Sequence, residues 1–145
     1  MTLKKNEDMQ IPKLKLSNIR FKAVIVGALV DNLGTMFSVS LLIMALSSTG
    51  FQESEVMDRL KSLSGRLLTL IIGLGWTMLG GYTAARMAKR DEFPHGALVA
   101  VVGIVIALVF REEGIPAWFE IIGLVCMLPA GMAGGSLAKK RNALT

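Results

Sequence analysis

The sequence predicts an all-α fold, an integral membrane four-helix bundle, and three observations predict it. Hydrophobic residues make up 52% of the 145 and charged residues only 19%, with a mean hydropathy of +0.55. The apolar residues are gathered into long uncharged runs that a soluble core of this size has no room to bury. The charges collect at the ends of those runs, as they do where a chain leaves a bilayer.

The elements follow in order. Residues 1–20 read as a basic cytoplasmic leader, interrupted by Pro12, with Ile11, Leu14, Leu16 and Ile19 at a loosely helical spacing that could rest on a membrane surface. The first span covers about residues 21–47 and contains one acidic residue, Asp31. The second covers about 67–88, with no charge before Arg86, and the fourth about 116–138, ending at Lys139-Lys140-Arg141. The third, about 94–110, is short and fenced by Arg90-Asp91-Glu92 and Arg111-Glu112-Glu113. At about 1.5 Å per residue each reaches across a hydrocarbon layer of about 30 Å, the third with little to spare. Pro94 and Pro116 suit first-turn positions, where a missing N–H costs nothing. Residues 21–138 thus form the transmembrane domain and 139–145 a basic tail.

Between the first two spans, residues 48–66 form the one substantial loop. Thr49 with Gln52 fits a capping box, and Phe51, Val56, Leu60 and Leu63 make an apolar stripe. A short amphipathic helix on the outer surface is expected there; a solvated helix covering the bundle fits as well. Orientation follows from the Lys and Arg residues. Twelve of the sixteen flank the side shared by the leader, the second loop and the tail, and four, Arg59, Lys61, Arg66 and Arg111, lie on the other. Both termini are therefore expected inside.

Composition also excludes classes of function. The net charge of +5 is accounted for by topology and anionic headgroups, and no basic face with interleaved aromatics points to nucleic acid. Cys126 is the single cysteine, so neither an internal disulfide nor a cysteine-rich metal site is available. The polar N-terminal stretch does not read as a cleaved signal, and no lipidation motif is evident. No nucleophile-and-base pair or metal set shares one depth, so neither enzymatic activity nor a cofactor is expected.

Small residues recur four apart on the second span, through Gly73, Thr77, Gly81 and Ala85 with Gly80 alongside, and on the fourth through Ala130, Gly134 and Ala138 with Gly131 and Gly135 alongside. That spacing lets helix backbones approach closely, within the chain or against a second copy. A shift of 50 residues aligns the two spans, with Ile71-Ile72-Gly73-Leu74 on Ile121-Ile122-Gly123-Leu124 and Gly81 on Gly131. A parallel repeat and the small alphabet of membrane helices both account for this.

Asp31 is the sharpest feature. It lies about ten residues inside the first span, where a carboxylate costs roughly 2.5–3.5 kcal/mol on insertion scales and such residues face a bundle interior or a wet cavity. Gly27, Gly34, Thr35 and Ser38 share its helix face, while Asn32 points about 100° away toward a different helix. Counting the same depth on the other spans reaches Trp76 and Thr77, Gly103, and Pro129, whose ring frees the carbonyl of Val125. Asp31 is then either interhelical glue or the binder of a proton or cation. His95 at the inner boundary reads as exposed, and Glu120 as reaching the outer headgroups.

The stretch Gly80-Gly81-Tyr82-Thr83-Ala84-Ala85-Arg86, followed by His95-Gly96-Ala97-Leu98, resembles a pattern in uncharacterised small four-helix bacterial inner-membrane proteins. The resemblance covers about a third of the chain, implies an inner-membrane location and brings no activity with it. Small four-helix drug exporters also place a carboxylate in their first helix, but their surrounding motifs are missing here. The expected function is a non-enzymatic structural or accessory membrane component, with the lipid bilayer and either further copies or another membrane protein as partners. The alternative is a small oligomeric transporter or channel subunit using Asp31.

Overall fold

In the computed structural model of the chain, residues 19–111 and 114–144 are described. They form five helices, α1 (Phe21–Ser48), α2 (Glu53–Lys61), α3 (Leu63–Ala88), α4 (Glu92–Val109) and α5 (Ala117–Asn142), with no strand among them. All but α2 are long and apolar enough to cross a membrane. The basic leader as far as residue 18, with Ile11, Leu14 and Leu16, and the Glu112-Glu113 part of the third span's fence lie outside the described residues.

The helix ends have local causes. At the end of α1 the hydroxyls of Ser48 and Thr49 donate to the carbonyls of Ala45 and Leu46, and Gly50 turns the chain at φ +89°. The capping box lies three residues later than the Thr49–Gln52 pairing read from sequence. Gln52 is the N-cap and Glu55 its reciprocal partner, because Thr49 is still occupied in closing α1. Glu53 and Glu55 in the first turn of α2, with Arg59 and Lys61 in the last, suit the helix dipole. Only Ser62 separates α2 from α3, and its hydroxyl accepts from the Gly65 N–H. α3 therefore starts four residues before the expected 67, and α5 runs through the basic triplet to Asn142. Pro94 falls in the first turn of α4, whereas Pro116 precedes α5 as its N-cap.

α3 touches every other helix, and α4 packs against α1, α3 and α5, but α1 and α5 do not meet. The four long helices thus form a rhombus with α3 and α4 across its short diagonal. One end carries α2, the start of α3 and α5, and the finish of α4; the other carries the start of α1 and the finish of α5.

Glycines bring the backbones together toward the terminal end. A Cβ on Gly80 would fall 2.5 Å from the carbonyl oxygen of Gly27, one on Gly81 2.5 Å from that of Gly131, and one on Gly135 2.6 Å from that of Glu92. Gly96 and Gly131 face each other, and Gly134 lies on the backbone of Met78 and Tyr82. The expected small-residue seams are consumed within the chain, except that Gly73 packs against nothing within 4 Å of where its Cβ would be.

Candidate functional site

The seam of Gly27 against Gly80 draws α1 onto α3, and Asp31, one turn beyond Gly27, is buried by it to 4% exposure. Facing it from α3 is Thr77, 1% exposed. The Thr77 hydroxyl donates to Asp31 Oδ1 at 3.0 Å and lies 3.1 Å from the carbonyl oxygen of Gly73 one turn back. From α4, Gly103 presents bare backbone: a Cβ there would lie 3.2 Å from Asp31 Oδ2 and 2.6 Å from the Met127 methyl of α5. Four helices thus meet around one carboxyl group.

Toward the α2 end, where α1 and α5 stand apart, the bundle holds a cavity of about 450 Å³. Asp31 borders its deep end, and the ion pair of Arg111 with Glu120, at 2.8 Å, borders its outer end. Most of the wall between is carbon, with Leu74, Ile106, Phe119 and Met127 prominent. Thr35 and Thr69 add hydroxyls, and the bare faces of Gly73, Gly103 and Gly123 widen the space. Gly73 and Gly123 are the equivalent positions of the 50-residue shift, so the two aligned helices contribute matching glycines to one chamber.

Of the residues expected at this level, Asp31, Thr77 and Gly103 are together and the others are not. Trp76 lies over Gly34, and its indole N–H donates to the Ser38 hydroxyl at 2.9 Å, which pins α1 to α3 away from the carboxyl group. Asn32 does not reach another helix: its side-chain amide donates to the carbonyl of Ala28 on its own helix at 2.8 Å. It still edges the cavity. Pro129 is exposed on the outside of α5, and the neighbouring Val125 is 64% exposed. The helix rotation at that depth turns both away from Asp31.

Two features were not anticipated. Glu120 pairs with Arg111 across the α4–α5 connection instead of reaching outward alone. His95 is fully buried, not an exposed boundary residue. Its Nε2 accepts from the Arg20 backbone N–H at 3.0 Å, and Nδ1 lies 2.8 Å from the Asp91 carbonyl oxygen. A carbonyl only accepts and an amide only donates, so Nδ1 carries the hydrogen and Nε2 the lone pair. His95 ties the entry of α1 to that of α4. Its neighbour Gly96, pressed on Gly131, was the available signal, since close backbone packing buries the adjacent side chain.

Among the described residues no three His, Cys, Asp or Glu side chains gather as a metal site would need. No protein family, curated protein or solved structure matches this chain.

Proposed function

We propose that this chain is a small multi-pass protein of a bacterial inner membrane, both termini cytoplasmic, that binds a proton or cation at Asp31 and passes it along the cavity. The observation that carries this reading is the cavity itself, which leads from the paired charges of Arg111 and Glu120 down to the intramembrane carboxyl group. A carboxylate at such depth is costly unless a proton, a cation or water compensates it. The space is lined from within one protomer but stays partly open where α1 and α5 do not meet, so a second copy against that gap would complete its wall. The orientation rests on the twelve-to-four distribution of Lys and Arg. It puts the cavity mouth outside, with α2 on the outer surface: Val56 is tucked against the bundle and Glu53, Glu55 and Asp58 are exposed. No step of it is enzymatic.

The second reading is a structural or accessory component in which Asp31 only joins α1 to α3. The Asp31–Thr77 bond supports it, but it gives no account of the cavity. Proton and cation flux into vesicles, compared between the parent protein and Asp31→Asn, decides between them. Flux in the parent that disappears in a correctly assembled variant is expected. A parent without flux, or a variant with undiminished flux, leaves Asp31 as glue.

A further inference from the structure

Asp31 Oδ1 is engaged by Thr77, whereas Oδ2 has no hydrogen-bond partner among the described residues. Oδ2 is not sealed off either, since no buried side-chain oxygen among those residues lacks a partner. The atom therefore opens onto the cavity that Asp31 lines. Among the described residues it is the one side-chain charge of the chamber not already matched, because Arg111 and Glu120 pair with each other at the outer end.

A bare metal ion fits this surrounding badly. Calcium takes about six to eight oxygen ligands and magnesium a near-ideal octahedron, whereas the wall beyond the carboxyl group is mostly carbon. The volume argues the same way. A water occupies about 30 Å³, while about 450 Å³ falls in the range of roughly 300–1,000 Å³ typical of small-molecule pockets with apolar walls and few polar groups. Resting on the assignment of Asp31 as a cation-binding group, we propose that the cavity binds an organic ammonium ion with an apolar body. The ammonium N–H groups donate to Oδ2, and the body lies against Leu74, Ile106, Phe119 and Met127. Two glycines keep the site open. A Cβ at Gly103 would crowd Oδ2, and one at Gly73, which meets nothing within 4 Å, would start a side chain into the chamber.

The test is equilibrium binding to the full-length protein in detergent, with phenethylammonium, methylammonium and sodium as probes. Phenethylammonium is expected to bind about tenfold or more tighter than methylammonium, since its larger apolar surface leaves water. Asp31→Asn and Gly73→Leu should each weaken it by about tenfold or more, the first by removing the charge and the second by filling the space. Gly73→Leu keeps the Asp31–Thr77 bond, so it remains informative if Asp31→Asn fails to assemble. Sodium or proton binding that depends on Asp31, without preference for phenethylammonium, would overturn the ligand class and leave the assignment of Asp31 standing. Phenethylammonium binding that survives Asp31→Asn would reduce the cavity to an apolar slot and overturn the proposal. If a folded parent protein binds none of the three and shows no flux, both the ligand class and the role of Asp31 fall.

Discussion

The Thr77 hydroxyl carries one hydrogen and has two acceptors in reach, Asp31 Oδ1 and the Gly73 carbonyl oxygen. With the carboxylate ionised, the hydrogen goes to Asp31. With it protonated, Asp31 donates to Thr77, and Thr77 donates to Gly73. The site therefore keeps a hydrogen bond in either state, which a residue that takes up and releases a proton needs. Thr77→Val, close in shape, removes the hydroxyl and leaves Asp31 Oδ1 unmatched, while the Gly73 carbonyl keeps its helical bond from the Thr77 backbone N–H. It should lower unfolding stability in micelles by about 0.5–2 kcal/mol, the range for hydrogen bonds between membrane helices, while Thr77→Ser keeps most of it; denaturant titration of the two variants distinguishes them. The pairing was legible in the sequence because helix rise fixes depth, and depth put Thr77 and Gly103 beside Asp31. Depth does not fix rotation about the helix axis, which is why Pro129 and Trp76 were expected at the same site and face elsewhere. Asn32 went astray for another reason: a short carboxamide reaches the carbonyl one turn back more easily than a neighbouring helix. His95 was hidden because a lone histidine beside a proline at a span end looks the same whether its backbone is exposed or pressed on another helix.

At the scale of elements, hydropathy revealed the four long helices because lipid demands uninterrupted apolar runs. It misplaced their ends wherever polar residues continue a helix beyond the apolar stretch. Leu63–Arg66 extend α3 before its hydrophobic run, and Lys139–Asn142 extend α5 past it, where basic side chains favour the C-terminal dipole. The small-residue rows were legible as packing faces, but a row of glycines is the same pattern whether it carries a contact or leaves a hole. Gly134 and Gly75 separate the two cases. A Cβ on Gly134 meets the backbone of Met78 and Tyr82, which cannot move without shifting α3, whereas one on Gly75 meets nothing within 4 Å. Gly134→Ala should destabilise the bundle by about 1–3 kcal/mol, the usual cost of overpacking. Gly75→Ala should be neutral or gain up to about 1 kcal/mol from helix propensity. Thermal melts of the two variants in one detergent read both, and equal losses would mean that the α3–α5 seam is looser than these contacts require.

For the whole molecule, the rhombus of helices and the placement of charge describe one asymmetry. The glycine seams draw the helices together toward the terminal end, where most of the described Lys and Arg residues also lie; toward the α2 end α1 runs on beyond Asp31 with no further buried residue, and the cavity occupies the gap that α5 does not close. If the basic end faces the cytoplasm, as the distribution of cationic side chains against the leaflet charge and insertion machinery favours, the close-packed half is the inner half and the chamber opens outward. Cysteine labelling tests this directly. Cys126 is the chain's single cysteine, and Cys126→Ala removes it at little packing cost because it is only half-buried. In that background Ser54→Cys lies exposed on α2, and Lys140→Cys lies exposed in the last turn of α5. A membrane-impermeant maleimide applied to intact bacteria should modify Ser54→Cys and not Lys140→Cys, with Lys140→Cys becoming reactive once the membrane is permeabilised. The reverse pattern would place the chamber mouth on the cytoplasmic side and turn an outward-opening site into an inward-opening one. Labelling of both in intact cells would mean that the chain inserts in two orientations, in which case Lys and Arg do not fix its topology.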